Sequence, residues 1–168
     1  FQNDTDSFET LLKVKKTSGF TFTTFSSMSK LNELIEKKEI SDSLFTLTDI
    51  DRKEAMILDL VLTQYLKSRD FYILHIITGF HALFEMKQFF DDYQEVLEQF
   101  FYVAQLFMLF NDYQETYQTL ELADLNDLKT RVTELTDAHD IKLFFTVLRL
   151  AETFSNDKLK QIATLIFQ

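Results

Sequence analysis

The fold of this 168-residue chain is decided by residues 71–90, which read FYILHIITGFHALFEMKQFF. When they are placed on a helical wheel at about 100° per residue, large apolar side chains cover more than half of the circumference. A helix that is apolar over most of its surface is usually buried. The segment therefore predicts a buried helix whose narrow stripe of small or polar residues faces water, a partner or a lined cavity. This stripe consists of His75, Thr78, Gly79, His81, Ala82 and Glu85.

A second helix of the same kind is predicted over residues 137–154. Its large apolar residues again surround most of the helix, and one narrow stripe stays polar. The two stripes have two interpretations: each is a thin edge that faces solvent, or both line one polar pocket. Periodicity alone favours the first interpretation, whereas a functional site requires the second. The second stripe consists of His139, Lys142, Thr146, Arg149 and Thr153.

The composition excludes most other fold classes. The chain has no Pro, no Cys, no Trp and only 2 Gly, whereas hairpins, sandwiches and jelly rolls need Gly and Pro at their turns. The same absences exclude a thiolate zinc site, a Cys nucleophile and a glycine-rich phosphate loop. The length suits one domain with a real core. We therefore predict an all-α fold, a multi-helix bundle of mostly antiparallel helices in a single domain over residues 1–168.

Helical spacing and capping residues place the predicted elements along the chain. Residues 20–28 alternate Phe with Thr or Ser, and without a pairing partner they are predicted to form a short extended N-terminal linker. Thr48 and Asp51 have the spacing of a capping box, and Ser68-Arg69-Asp70 predicts a tight break. The predicted helices are 6–16, 29–39, 50–67, 71–90, 91–110, 137–154 and 157–167, with a shorter segment after Asn111-Asp112 that ends near Leu122.

Charge and hydropathy limit the partners of the chain. It carries 17 Lys+Arg and 27 Asp+Glu, a net charge of −10, which argues against nucleic acid because phosphate binding needs a clustered basic surface. Basic residues gather around Lys13, Lys15 and Lys16, but acidic residues outweigh them elsewhere. The longest apolar run, 100–110, is interrupted by Gln105 and is too short to cross a bilayer. With no signal-peptide pattern at the start, we expect a cytoplasmic protein.

Histidine and lysine are the candidate chemical groups. His75 is followed one turn later by Thr78 and Gly79, and these small residues leave room beside its imidazole, although a single helical histidine is more often structural than a ligand. His81 lies about 120° around the helix from His75, so the two make poor joint ligands. His139 and Lys142, at i and i+3, share a face. A partly buried lysine pairs with an acid, loses its proton or becomes modified.

The acidic residues and the phenylalanines have simpler interpretations. Asp91, Asp92, Glu95 and Glu98 are typical of first-turn acids and a solvated helix face, with a carboxylate metal site as the weaker alternative. The phenylalanine-rich band is interpreted as core, with a flat apolar interface as the alternative. That band consists of Phe89, Phe90, Phe100, Phe101, Phe107 and Phe110.

Two stretches of the sequence resemble one known family. Residues 70–78, DFYILHIIT, are similar to the DFxLLHxVT stretch of the questin oxidase-like proteins. Residues 139–143, HDIKL, resemble the later HxxK helix of the same family. The segment from Val14 to Phe25 is similar to the family's segment ahead of this region. The resemblance thus runs in order from about Val14 to the last helices.

This resemblance implies an all-helical oxidative enzyme with a small aromatic, polyketide-like substrate. The named members of the family are fungal Baeyer–Villiger-type oxygenases that open anthraquinone rings and are linked to NADPH. Related ring-cleaving enzymes hold a non-haem iron with several histidines and a modified lysine. The resemblance therefore implies His75 and Lys142 as metal ligands and Lys142, His139 and Thr78 as catalytic residues. Imidazole suits iron, and a carboxylated lysine supplies an oxygen ligand that an ammonium cannot.

The chain also departs from the family. Family members are longer, their N-terminal half contributes further histidines, and this chain has no histidine between His81 and His139. The resemblance therefore implies that this chain is the C-terminal half of a longer protein, with an incomplete metal site, and the start at Phe1 also predicts a fragment. The missing N-terminal half or a homodimer partner would cover its apolar surface. The alternative is a non-catalytic helical module for protein interaction or dimerisation.

Overall fold

The computed structural model describes residues 4–47, 51–111, 113–114 and 116–168, with side chains from residue 7 onward. Over these ranges the chain is helical and contains no strand, which confirms the all-α prediction. Two 3₁₀ turns, Lys87–Phe89 and Val132–Glu134, accompany the helices. The α-helices are α1 Asp4–Thr17, α2 Ser27–Glu36, α3 Lys38–Ser41, α4 Lys53–Ser68, α5 Phe71–Glu85, α6 Tyr93–Met108, α7 Leu125–Thr130, α8 Ala138–Ala151 and α9 Asp157–Ile166.

Helix α4 forms the centre of the bundle and packs against α1, α5, α6 and α9. Every residue from Ile57 to Leu66 is buried except Asp59. Asp59 instead accepts hydrogen bonds from Asn156 and Lys158 at the start of α9, at 2.8 and 2.5 Å. Because α4 is enclosed on all sides, the other helices are arranged around it.

Helices α5 and α8 lie side by side and run in the same direction. Near their N-terminal ends the rings of His75 and His139 are 5.7 Å apart between centroids. Near their C-terminal ends Arg149 Nη2 lies 3.4 Å from Glu85 Oε1. Helices α4 and α5 are antiparallel, as predicted for consecutive helices, because Lys87, after α5, pairs with Glu54 at the start of α4. The parallel pair is therefore formed by helices that are distant in sequence.

Aspartate and asparagine side chains fix the helix ends that matter for the site. Asp70 Oδ1 accepts hydrogen bonds from the backbone N–H groups of Tyr72 and Ile73, at 2.8 and 3.1 Å. Asp92, Asp137 and Asn156 cap α6, α8 and α9 in the same manner. The predicted break at residues 68–70 is confirmed, and α4 ends there because Arg69 adopts the left-handed conformation, with φ 51°. These caps satisfy backbone donors that have no intrahelical partner.

Several predicted helix boundaries are wrong. Helix α1 begins at Asp4 rather than at residue 6, and the helix predicted over 29–39 is two helices, α2 and α3, separated by Lys37 in an extended conformation. Helix α5 ends at Glu85 rather than at residue 90, because a 3₁₀ turn follows before Asp92 caps α6. Helix α4 begins at Lys53 rather than at residue 50, since residues 51 and 52 form a turn, and the predicted capping residue Thr48 lies outside the described residues.

The largest error concerns the region after Asn111. A short helix is predicted there, but residues 116–124 form neither helix nor strand, and α7 begins unpredicted at Leu125. Side chains of α9 explain the difference, because they supply the hydrogen bonds that a helix would otherwise make for itself. Gln161 Oε1 accepts from Leu120 N at 2.8 Å, and Gln161 Nε2 donates to Leu120 O at 3.2 Å.

The phenylalanine-rich band belongs mostly to the core, as interpreted. Phe101 and Phe110 are buried, whereas Phe100 and Phe107 are half-buried and pack against the same core. Phe89 is the exception and is exposed. Of the acidic residues on α6 and before it, Asp92 caps the helix and Glu98 pairs with the buried Lys53 of α4.

Candidate functional site

Three aromatic rings meet where α5 and α8 begin. Phe71 and His75 are one turn apart on α5, with ring centroids separated by 4.3 Å. The ring of His139, on the first turn of α8, lies 5.2 Å from Phe71 and 5.7 Å from His75. Two of the four predicted site residues, His75 and His139, are therefore brought into contact from positions far apart in the sequence.

Each imidazole has one ring nitrogen next to an oxygen atom. His75 Nδ1 lies 2.8 Å from the carbonyl oxygen of Phe71, and His139 Nδ1 lies 3.4 Å from Asp137 Oδ1. An oxygen at one ring nitrogen fixes the orientation and tautomer of the ring and leaves the other nitrogen, Nε2, for a ligand. Metal-bound histidines usually have such a partner. The two imidazoles thus fit a metal site in their chemistry.

Asp137 caps helix α8 and also lies beside the ring of His139. Its Oδ1 accepts hydrogen bonds from the backbone N–H groups of His139 and Asp140, at 2.7 and 3.3 Å. These bonds, with a smaller contribution from the imidazole of His139, hold the pKa of Asp137 below its ordinary value. One carboxylate therefore starts α8 and lies beside the His139 ring. The sequence analysis did not single out this role, although an aspartate two residues before His139 is a visible signal.

The polar stripes do not line an enclosed pocket, and that interpretation is wrong. His75, His139 and Lys142 are all exposed, so the expectation of a partly buried lysine is also wrong. Thr78 is buried, and its hydroxyl donates to the carbonyl oxygen of His75 at 3.2 Å. The exposed members of the two stripes instead lie next to each other at the protein surface, because α5 and α8 pack in parallel, whereas Thr78 and Thr146 are buried.

We call this surface the α5–α8 seam, defined by Phe71, His75, His81, Glu85, His139, Phe145 and Arg149. His81 is half-buried: its ring lies 6.0 Å from that of Phe145, and its Nε2 lies 3.4 Å from Glu85 Oε1. It is therefore separate from the histidine pair, as the helical angle predicts. Gly79 faces α6, where an added Cβ would lie 3.5 Å from Phe100, in ordinary van der Waals contact.

A largely apolar cavity of about 360 Å³ adjoins the histidine pair. It lies between α5, α6 and the start of α2, and its size is within the range of small-molecule sites, about 300–1,000 Å³. Its main polar feature besides His75 is the hydrogen bond between Ser27 Oγ and Tyr72 Oη, at 2.8 Å. We call it the aromatic cavity because its walls include Phe71, Tyr72, Phe100 and Phe107.

The described part of the chain supplies too few ligands to form a complete metal site. Across residues 4–47, 51–111, 113–114 and 116–168, no three His, Asp or Glu side chains are grouped so that they could hold a metal ion. His75 and His139 supply two imidazoles. Lys142 lies one turn beyond His139 on the same helix face, where a carboxylated side chain would add an oxygen donor. Further ligands would have to come from elsewhere.

Comparisons with known proteins identify no relative of this chain. No family model matches the chain, and no curated protein or solved structure matches it significantly. The likeness to the questin oxidase-like proteins therefore stays a prediction that rests on the motifs quoted above. Among the described helices, none has the length and hydropathy that crossing a bilayer requires.

Proposed function

We propose that this chain is the C-terminal helical part of a questin oxidase-like oxidoreductase. The proposed activity is that of an oxygenase, of Baeyer–Villiger or ring-cleaving type, acting on an aromatic polyketide-like substrate. One observation carries the proposal: His75 and His139, from the two separate motifs of the resemblance, are in ring contact at the rim of an aromatic cavity. Nothing in the local sequence around either residue requires that proximity.

The aromatic cavity supports the substrate class. A flat, fused-ring molecule would contact the half-buried rings of Phe100 and Phe107 through offset or edge-to-face packing. Tyr72 and Ser27 form the polar pair in the wall, where a phenol or quinone oxygen of the substrate would find a hydrogen-bond partner. His75 lines the same cavity. The substrate would therefore lie next to the proposed metal ligand.

The proposed cofactors are non-haem iron and NADPH. Iron, when bound, supplies the activation of O2, and NADPH supplies two electrons for the oxygen atom that is not transferred. On this chain His75 and a carboxylated Lys142 would hold the metal, and His139 would act from beside it, oriented by Asp137. Buried Thr78 supports the backbone of His75. A preceding N-terminal half of the protein would complete the ligand set.

Elemental analysis of the full-length protein tests this proposal. We expect bound iron in the wild-type protein and, in His75→Ala, a loss of affinity of about 10- to 100-fold or more. His81→Gln is the matched control, since His81 lies on the same helix but outside the histidine pair, and it should retain the metal. Iron retained in His75→Ala would remove His75 from the site. An iron-free wild-type protein would reject the proposed metal chemistry.

A second function is favoured by a different observation. Phe71 and Phe145 are 54% and 57% exposed on the α5–α8 seam, and Ile141 on the same helix is 42% exposed. Large apolar side chains grouped on a surface are typical of protein interfaces. In this alternative the chain is a non-catalytic helical module, and the seam binds a second copy or another partner.

A further inference from the structure

One stretch of this acidic chain has no acidic residue. Residues 11–30 contain Lys13, Lys15, Lys16 and Lys30 and neither Asp nor Glu. The stretch covers the end of α1, the extended linker and the start of α2. A local positive charge in a chain with net charge −10 is a feature that folding alone does not require.

Three of these lysines border a cleft of about 880 Å³, which we call the basic cleft, and Lys30 lies beside it, over two of its lining rings. Lys13, Lys15 and Lys16 line one side, and the half-buried rings of Phe20 and Phe22 line another. Gly19, in the left-handed conformation with φ 64°, ends α1 and turns the chain so that these rings follow the lysines directly. The volume falls within the range of sites for organic ligands, about 300–1,000 Å³.

Positive charge converges on the aromatic wall of the basic cleft. Lys30 Nζ lies 5.1 Å from the ring centroid of Phe22 and 5.5 Å from that of Phe110. Lys15 Nζ lies 5.5 Å from the same Phe22 ring. Ammonium groups brought near one another repel, and a bound anion would relieve that repulsion.

Three of the four lysines in residues 11–30 form no ion pair with a described carboxylate. Glu9 lines the basic cleft, but its carboxylate pairs with Lys67 of α4 at 2.8 Å. Among the described residues, Lys13, Lys16 and Lys30 form no ion pair with an acid. A phosphate group would supply several acceptor oxygens for such ammonium groups.

The basic cleft and the aromatic cavity are neighbours. The ring of Phe110, which lines the basic cleft, lies 5.2 Å from the ring of Tyr72, which lines the aromatic cavity. Phe22 in turn contacts Phe110, with centroids 5.5 Å apart. A ligand in the cleft would therefore be separated from the cavity by little more than a pair of aromatic rings.

We propose that the basic cleft binds a nucleotide, with its base against Phe20 and Phe22 and its phosphates at Lys13, Lys16 and Lys30. The aromatic rings would stack with the base of such a ligand, and the neighbouring ammonium groups would pair with its phosphates. A long polyanion is a poorer match, because the acidic remainder of the surface would repel it. The inference does not depend on the iron site. If the nucleotide is NADPH, the cleft would place that cofactor beside the aromatic cavity.

Calorimetric titration of the purified chain tests this proposal. The probes are ADP, ATP and NADPH, with adenosine and pyrophosphate as the separate halves of the ligand. We expect at least one nucleotide to bind with a Kd below about 1 mM and at least tenfold more tightly than either half. Tightest binding of NADPH would identify a redox nucleotide, and tightest binding of ADP or ATP an adenine nucleotide. No binding of any nucleotide, or equal binding of pyrophosphate, would overturn the proposal.

Lysine variants locate the site. Lys30→Ala and Lys13→Ala should each weaken nucleotide binding about tenfold, because each removes a charge-assisted contact to phosphate. Lys129→Ala on α7 is the matched control, an exposed lysine far from residues 11–30 in sequence, and it should bind as the wild type does. Circular dichroism checks that each variant is folded. If both cleft variants bind like the control, the nucleotide does not occupy the basic cleft. Because bound iron is measured separately, failure here leaves the proposed iron site unaffected and counts only against the NADPH part of the proposed function.

Discussion

At the scale of single residues, the two glycines have opposite requirements. Gly19 has φ 64°, a conformation that favours glycine, and open space surrounds the position of its absent Cβ. Gly79 lies within α5 at an ordinary helical conformation, and an added Cβ would meet Phe100 at 3.5 Å, which is normal van der Waals contact. Backbone conformation therefore constrains the first glycine, and packing leaves room for a methyl group at the second.

Substituting the two glycines separates these effects. We expect Gly79→Ala to stabilise the protein by about 1 kcal/mol, because alanine has the higher helix propensity. Gly19→Ala should destabilise it by about 1 kcal/mol, because the left-handed conformation strains an L residue. Urea unfolding at pH 7 measures both. A loss of stability in Gly79→Ala would show that the contact with Phe100 does not tolerate a methyl group.

Tyr113 gives the protein a specific sensitivity to alkali. Its hydroxyl donates to the carbonyl oxygen of Met108, and its ring packs edge-on against Phe8 at 5.9 Å. Burial, with a smaller contribution from Asp70, raises the pKa of Tyr113 well above its ordinary value of 10.0. Because the folded-state pKa exceeds the unfolded one, this group's stabilisation is complete below pH 10 and is lost as the pH rises above it.

Tyr113→Phe tests this sensitivity. At pH 7 the variant should lose about 1 kcal/mol, the contribution of one hydrogen bond. The difference in the free energy of unfolding between wild type and variant should shrink as the pH is raised above 10. Tyr102→Phe, at a side chain that is 41% exposed, is the control. If the alkaline loss of stability is the same in Tyr113→Phe as in the wild type, another group causes it.

At the scale of elements, two glutamine side chains bond non-helical segments to the helices in the way that a neighbouring strand would. Gln105 of α6 accepts from Phe45 N at 3.0 Å and donates to Phe45 O at 2.9 Å. Gln161 of α9 binds Leu120 in the same two-bonded way. Each glutamine thus offers an extended segment the donor and acceptor that a neighbouring strand would supply. Two segments without helical structure are fixed to an all-helical core by this means.

Removing either glutamine should loosen its segment. We expect Gln105→Leu and Gln161→Leu each to cost about 2 kcal/mol in the free energy of unfolding, because two backbone groups lose their partners. Gln99→Leu on α6, where the glutamine bonds only to Glu95 at the surface, should stay within about 0.5 kcal/mol. Urea unfolding compares the three. Losses no larger than that of Gln99→Leu would show that water replaces the amide contacts.

These amide contacts also show what the sequence could reveal. Helices such as α5 and α8 were predictable because an aspartate cap, Asp70 or Asp137, precedes a long apolar period. The non-helical course of residues 116–124 is instead supported by Gln161 and Thr164, some forty positions away. Local periodicity contains no information on such a long-range partner. The error after Asn111 therefore has a physical origin in tertiary contacts.

At the scale of the whole molecule, the sequence patterns did not decide whether the two polar stripes would line a pocket or form a surface such as the α5–α8 seam. Both polar stripes were visible in the sequence, as were His75 and His139. Whether the stripes enclosed a pocket or faced solvent depended on the parallel packing of α5 with α8, which brings equivalent turns together at the surface. The sequence therefore allowed the two histidines to pair but did not require it. The aromatic cavity beside them was not predicted, because the phenylalanines in its wall were interpreted as core.

The exposed aromatic residues of the seam give a prediction for the whole molecule. We expect the isolated chain, of 19.9 kDa, to self-associate, and Phe145→Asp to reduce the association by placing a charge among apolar groups. Phe89→Asp is the control, since Phe89 is even more exposed than Phe145 but lies beyond the end of α5. Light scattering over a concentration series measures both. A monodisperse monomer at every concentration would contradict the use of the seam as an interface.

The parallel packing of α5 and α8 has a consequence for evolution. Leu120 and Ala123, in the stretch between α6 and α8, are bonded to Gln161 and Thr164 of α9 rather than to the histidine pair. Insertions or deletions there would leave the two imidazoles in register. Distant homologues should therefore conserve the histidine-bearing helices while the number of residues between them drifts, and searches that allow a gap of variable length will detect them best.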